Sequence, residues 1–437
     1  MDLIFPAGLV TSLVLIIFLA LRGYSILVIG PLCAMLVIIT NSMDILKALV
    51  IDKSSYMMGF GGFISKYFLI FLLGAILAKY MEDSGAASSI ANSVLKLTGT
   101  EKPYTILFSI FIISSLLTYG GVNLFVAMFA IVPLARPLFR TLNIPWHLIM
   151  IPITSGVGTF TMTMLPGAPS IQNAIPSTAL GTTLMAAPTL GVVGSMVTIA
   201  FSLWYMRYAL TKALCADESY VVTAADAAGT NSQELPSVWY SLFPLIILIG
   251  IIFSGSIMNI PNIILLALFI SILVAVMLFN PYIKKHAATL NAGATSAVTP
   301  AIFTAAAVGF GIVVAAAPGF AVISKWISAI PGSPLFSLSV ASSLMAAVTG
   351  SSAGSLGIIL EAFAKQYLAQ GISSDTLHRI SAMASGALSA MPHSGAVLTL
   401  LAITGLTHQN AYKHIFMTVV VGGTLSLLVA LGIAVFL

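Results

Sequence analysis

The stretch Ala390-Met391-Pro392-His393-Ser394-Gly395-Ala396 interrupts a long apolar run with a proline, a histidine, a serine and a glycine. A helix interior resists this composition, because proline lacks an amide and crowds the preceding turn, while glycine adds backbone freedom. Leu165-Pro166-Gly167-Ala168-Pro169-Ser170 has the same character, its Pro166 standing 226 residues before Pro392. Two such breaks inside hydrophobic sequence call for an environment that can hold broken helices.

That environment follows from the composition. Of 437 residues, 59% are hydrophobic and only 7% charged, and the mean hydropathy is +1.09. Soluble domains carry about a quarter charged residues, so this is an integral membrane protein. The apolar runs lack the alternation of outer-membrane strands, which leaves helices that satisfy their backbone within each segment. The expected fold class is therefore an all-α polytopic, multi-pass membrane protein. Asp2 precedes the first run and no Lys or Arg does, so that run is expected to be a retained span rather than a cleaved leader. Cys33 and Cys215 suggest neither a disulfide framework nor a metal site. The net charge of +5 comes without a basic cluster, so nucleic acid is not an expected partner. No metal or cofactor is expected.

Runs of about twenty apolar residues, enough to cross a bilayer, lie near 3–21, 24–40, 58–80, 146–165, 186–207, 239–256, 261–279, 298–317, 375–391 and 411–437. Two further runs, 104–139 and 334–369, are too long for one crossing and are broken in the middle. The interruptions are Thr118-Tyr119-Gly120-Gly121-Val122-Asn123 and Thr349-Gly350-Ser351-Ser352-Ala353-Gly354. Each run is expected to form a re-entrant helical hairpin with its tip at those residues, since irregular backbone survives at membrane depth only beside protein or a wet cavity. Close helix crossings also use glycine and serine, and explain either stretch taken alone. With two hairpins and an external N-terminus, eleven basic residues fall inside and five outside, with Lys66 at a span end; that is the expected sign.

The order of elements repeats. In each half a span is followed by an amphipathic arm (84–99, then 319–330), a hairpin and a broken helix, with Gly120 matching Gly350 at an offset of 230. The topology gives the halves opposite orientation, which makes an inverted repeat, a plan used by many secondary transporters. The expected organisation is scaffold spans over 1–57, a first repeat over 58–210, a cytoplasmic linker over 211–236, scaffold spans over 237–297 and a second repeat over 298–437. The broken helices fall near 165–170 and 391–396.

Charge is scarce where chemistry would occur. Helix N-termini exposed at a break offer backbone N–H groups and the positive end of a dipole, which suits a carboxylate. Eleven of the twelve acidic residues fall in loops, arms or ends, and Glu361 alone lies within a hairpin, four residues before Lys365 as in an ordinary solvated pair. His147, His286, His378, His408 and His414 are assigned to span ends or loops, leaving His393 as the one histidine within a broken span. An ionisable group there is a functional candidate, and a histidine merely bonded between helices is the structural alternative. Gly350-Ser351-Ser352-Ala353-Gly354 also matches the G-x-S-x-G elbow of hydrolases, but that elbow needs a strand before it and an acidic partner for its histidine. The charged rings or carbonyl filters of a channel are not visible.

The segment SGALSAMPHSGAVLTLLAITGLTHQNAYKHIF (385–416), together with the preceding TGSSAGSLGIILEAFAKQYLAQGISSDTLHRIS and with LPGAPSIQNAIP in the first half, resembles the gluconate permease (GntP) family of proton-coupled carboxylate symporters. Its motifs are most similar to the branch of 3-hydroxybutyrate and related short-chain hydroxy-acid permeases. The resemblance covers most of the chain. It implies a homodimeric scaffold and a mobile transport part holding both hairpins and both broken helices. Carried onto matching positions, it implies a substrate site at Gly120, Gly121, Asn123, Pro166, Gly167, Ser170, Thr349, Gly350, Ser351, Ser352, Gly354, His393, Ser394 and Gly395, with Gln172 and Asn173 as further neutral groups.

The expected function is proton-coupled import of a small organic carboxylate such as gluconate or 3-hydroxybutyrate, by alternating access, with His393 and Glu361 as candidates for proton coupling. Sodium coupling is the first alternative and an intramembrane serine hydrolase the second.

Overall fold

The computed structural model describes residues 4–98, 102–119, 124–168, 170–221, 235–258, 263–328 and 333–434. Among these the regular structure is helical throughout. Six helices are long and apolar enough to cross a membrane: Ile4–Leu21, Lys47–Asp83, Leu124–Thr141, Pro188–Cys215, His286–Ala316 and His408–Ala434. Shorter apolar helices such as Ile26–Thr40, Pro103–Tyr119, Pro334–Thr349 and Gly395–Thr404 accompany them.

Local chemistry sets the ends. Ser25, Ser170, Ser351 and Ser373 each start a helix by accepting a hydrogen bond from an amide two or three residues on, satisfying one of the donors a helix start leaves open. Gly181, Gly350 and Gly405 close helices in the left-handed conformation that glycine adopts without strain.

The chain forms two compact units. One comprises Met1–Lys66, Gly158–Phe201 and Ala301–Leu437, the other Tyr67–Val157 and Ser202–Pro300. The boundaries at Lys66, Phe201 and Pro300 fall inside the helices Tyr56–Asp83, Pro188–Cys215 and His286–Ala316.

The second of these units holds the first hairpin, built from Pro103–Tyr119 and Leu124–Thr141. The helix Met150–Val157 lies along its first arm, where Thr118 Oγ1 donates to the Gly156 carbonyl at 3.1 Å. The amphipathic arm Ala86–Thr98 packs on the second arm and on the helix Val238–Ile257, and Ser89 Oγ ties it to the Pro236 carbonyl at 2.6 Å. Helix Ile263–Phe279 buries Ala267, Leu268, Ser271, Ile272, Ala275 and Phe279 and exposes Leu266, Phe269, Leu273 and Met277. An exposed stripe of large apolar side chains at helical spacing is what a lipid-facing surface requires.

In the first unit, Ile4–Leu21 packs between Ile26–Thr40 and the second amphipathic arm, Pro318–Ser328. The second hairpin joins Pro334–Thr349 to Ser352–Ala369, and Ser355 Oγ bridges its arms by donating to the Ser342 carbonyl at 2.7 Å. Both arms lean on Ser374–Ala387, which in turn packs on Gly422–Ala434.

Three boundaries differ from the sequence expectation. The apolar run 146–165 is not a continuous span: a 3-10 turn Trp146–Ile149 leads into Met150–Val157, and a separate turn Phe160–Thr163 follows a break at Gly158 and Thr159. Hydropathy registers no such break, because Gly-Val-Gly-Thr is apolar enough to continue a run while its glycines weaken the helix. The helix starting at Pro188 extends to Cys215, five residues into the segment assigned to the linker, and 222–234 lie outside the described residues. The helix expected to begin near 298 already begins at His286.

Gly156 is a point of close approach between two helices of the first hairpin's unit. A Cβ there would stand 2.4 Å from Ser114 Cβ and 2.9 Å from the Phe111 carbonyl, so Gly156→Ala forces the backbones apart. The expected cost is about 1–3 kcal/mol, read as a lower melting temperature of the detergent-purified protein with the helical circular dichroism signal retained.

Candidate functional site

The site is assembled around the tip of the second hairpin. Its first arm ends at Thr349, and Gly350 turns the chain with φ +60°. Ser351 then opens the second arm, its hydroxyl accepting from the Gly354 amide at 3.2 Å. Thr349 Oγ1 donates back to the Met345 carbonyl and lies 3.1 Å from the Ser351 carbonyl. The four residues Thr349, Gly350, Ser351 and Ser352 thus form a tight reversal with one new helix N-terminus.

Two more helix N-termini reach this tip. In the first half, Ser170 caps the helix Ile171–Leu180, which ends at Gly181 with φ +66°. In the second, Ser394 stands at the cap position of Gly395–Thr404, which ends at Gly405 with φ +71°. Each half therefore places a serine, a ten-residue helix and a left-handed glycine after its break, 224 residues apart. Gln172 Nε2 donates to Ser352 Oγ at 2.9 Å, joining the first of these helices to the tip. From the other side, His393 and Ser394 lie 3.1–3.4 Å from the point where a Gly350 side chain would begin, so a side chain there would be strained by its φ and crowded as well.

The breaks themselves are held by side chains. Ser170 Oγ donates to the Met162 carbonyl at 2.6 Å, and the buried Asn173 donates through Nδ2 to the Ala168 carbonyl at 3.0 Å. In the second break the Pro392 carbonyl accepts from His408 Nε2 at 2.7 Å and the Ala390 carbonyl from Tyr412 Oη at 2.9 Å. The Ser394 amide donates to Met391 O at 2.8 Å, and Thr304 Oγ1 donates to the Gly395 carbonyl at 3.0 Å. His393 is 1% exposed. It packs edge-on to Phe310 and its Nε2 approaches the Val348 carbonyl at 3.4 Å, while its buried Nδ1 has no hydrogen-bond partner among the described residues.

Arg379 and His378 depart most from the sequence expectation. The sequence reading puts His378 at a span end or loop and counts Arg379 among the five basic residues on the outer side, yet both are wholly buried in Ser374–Ala387. Arg379 donates from Nε to Ala186 O at 3.1 Å, from Nη1 to Asn173 Oδ1 at 2.9 Å and from Nη2 to Leu184 O and Ala186 O at 3.1 and 3.0 Å. His378 Nδ1 meets Thr182 Oγ1 at 2.7 Å, and its Nε2 points at Asn173 Oδ1 at 3.4 Å. The expectation of a site region almost devoid of charge is thereby corrected. The burial came from a long polar-looking helix start, Ser-Asp-Thr-Leu-His-Arg, which a hydropathy count reads as surface; its one signal is that Ile380 to Ala387 continues without a charged residue.

Of the expected site residues, Pro166, Gly167, Ser170, Thr349, Gly350, Ser351, Ser352, Gly354, His393, Ser394 and Gly395 lie in the same compact unit. Gly120, Gly121 and Asn123 lie outside the described residues, as does the side chain of Glu361.

The sequence profile for the GntP family permeases matches residues 3–436. The chain belongs to the GntP permease family. A curated relative, the uncharacterized transporter YxjC of Bacillus subtilis (strain 168), is 34% identical over 453 residues, covering 93% of each chain. A weaker likeness is to the crystal structure of the Alcanivorax borkumensis YdaH transporter, at 14% identity, with 87% of this chain and 88% of the other covered and a TM-score of 0.37. This GntP permease is thus a multi-pass membrane transporter and not an enzyme. In keeping with that, Gly350–Gly354 joins two helices and so lacks the strand a nucleophile elbow requires.

Asn173 is the side chain on which the permease's buried polar cluster turns. Asn173→Leu leaves an Arg379 donor and a His378 nitrogen buried without their shared acceptor, at an expected cost of about 2–4 kcal/mol, measured as a loss of melting temperature well beyond that of Ser351→Ala, which removes one cap at about 1 kcal/mol.

Proposed function

We propose that this GntP permease is a proton-coupled importer of a small organic monocarboxylate, acting by alternating access in the bacterial inner membrane. The observation that carries the reading is the meeting of three helix N-termini, those after Ser170, Ser351 and Ser394, around one hairpin tip. Each N-terminus presents backbone amides and a partial positive charge, so their convergence favours a bound anion without a carboxylate-binding side chain. Ser352, Gln172 and Ser394 stand beside the tip and suit a hydroxyl on the substrate, as in gluconate or 3-hydroxybutyrate. The matched halves fit a substrate held at the interface of two repeats, with inverted orientation as the topological reading and a homodimer as the assembly implied by family resemblance.

His393 is the proton-responsive group in this reading. It is buried in the second break against the tip, and its Nδ1 has no hydrogen-bond partner among the described residues; a neutral imidazole with an open lone pair offers a place for a proton when the site is wetted during the cycle.

The test is uptake of labelled 3-hydroxybutyrate and gluconate into proteoliposomes holding the purified protein. An inward proton gradient without sodium is expected to drive accumulation of one of them, collapsing on addition of a protonophore. Accumulation driven by sodium alone would instead establish sodium coupling. His393→Ala is expected to abolish gradient-driven accumulation and leave counterflow exchange within about tenfold of the parent, as proton-transfer groups contribute more than that to the coupled step. An unchanged pH profile in this variant would remove His393 from the coupling role.

A further inference from the structure

The guanidinium of Arg379 carries a full charge into the interior, and everything it touches is neutral: Asn173 Oδ1 and the carbonyls of Leu184 and Ala186. Among the described residues no carboxylate lies within ion-pair distance of it. Asp375, one turn earlier on the same helix, is exposed and acts on the guanidinium through space without an ion-pair contact. A buried charge whose direct contacts are all dipoles is costly, and a field only partly offset by a solvated carboxylate attracts a counter-ion.

The charge stands close to the candidate site, because the residue it contacts adjoins one bonded to the tip. Asn173 is the third residue of the helix that starts after Ser170, its amide donating to the Ser170 hydroxyl at 3.2 Å. Its neighbour Gln172 is the residue bonded to Ser352 at the hairpin tip. The guanidinium therefore stands one side chain behind an N-terminus that faces the tip, with its charge added to the partial charge of the helix dipole.

We propose that Arg379 is the positioning and specificity-determining residue for anionic substrates: it fixes Asn173 and the 184–186 backbone, and its charge, which no carboxylate among the described residues meets at ion-pair distance, makes the site prefer a carboxylate to a neutral group of the same shape. The inference rests on the carboxylate reading above. It makes the substrate a counter-ion in addition to the solvated Asp375, so the loaded site is closer to electroneutral than the empty one.

The experiment compares each transported acid with its carboxamide, which keeps shape and hydrogen bonding but has no charge, as competitors of uptake and as ligands in thermal-shift titration. The parent protein is expected to favour the acid strongly. Arg379→Gln is expected to shrink that preference by about tenfold or more, the scale of one charge acting through a partly polar interior, and Arg379→Lys to keep most of it while binding both competitors less well. Asn173→Asp places a carboxylate against the guanidinium with little change of shape and is expected to shrink the preference as Arg379→Gln does; it decides the matter if the glutamine variant fails to fold, which size-exclusion chromatography would reveal. A structural strut would lower affinity for acid and amide alike, so variants that retain the parent's ratio overturn the role given to Arg379 and leave carboxylate transport standing. A parent protein indifferent to acid and amide overturns the carboxylate reading itself.

Discussion

A peptide group that leaves a helix at membrane depth must find a partner within the protein, and the rest of this structure is organised by that demand. Two helices are broken beside a hairpin tip, and the orphaned amides and carbonyls are met one at a time. Ser170 and Ser351 take amides. Asn173, His408, Tyr412 and Arg379 take carbonyls. Buried polar residues that would be anomalous in an apolar core are here the counterparts of deliberate gaps in the helical ladder. The gaps in turn create the helix N-termini that stand beside the tip.

The same demand explains why so much was legible from the sequence. Proline, glycine and serine in apolar surroundings point to a break when they recur at matching places in both halves, and the arms 334–369 and the breaks near Pro166 and Pro392 follow from that single inference. Hydropathy cannot reveal a break made from residues that are themselves apolar, which is why the interruption at Gly158 and Thr159 went undetected. Nor can it reveal a charged residue whose partners are carbonyls far along the chain. Arg379 meets Leu184 and Ala186 about 195 residues away in sequence, and only the folded chain brings them together.

His393 and Arg379 illustrate two ways to keep an ionisable group in the interior. The imidazole is accommodated by being neutral, with one nitrogen near the Val348 carbonyl and the other open. The guanidinium cannot discharge and is accommodated by multiple dipoles. The first kind of residue is chemically able to gain and lose a proton, while the second keeps its charge throughout. Both belong to the compact unit that contains the tip.

The three serine-led helix starts carry an evolutionary corollary. Amides of the main chain are the same whatever side chain follows them, so on the carboxylate reading the part of the grip that backbone supplies survives a side-chain substitution as long as the turn itself holds. Side chains at the rim, such as Gln172 and Ser352, are free to vary without that penalty. A scaffold of this kind can diversify in the body of the molecule it carries while its grip on the charged end is inherited intact.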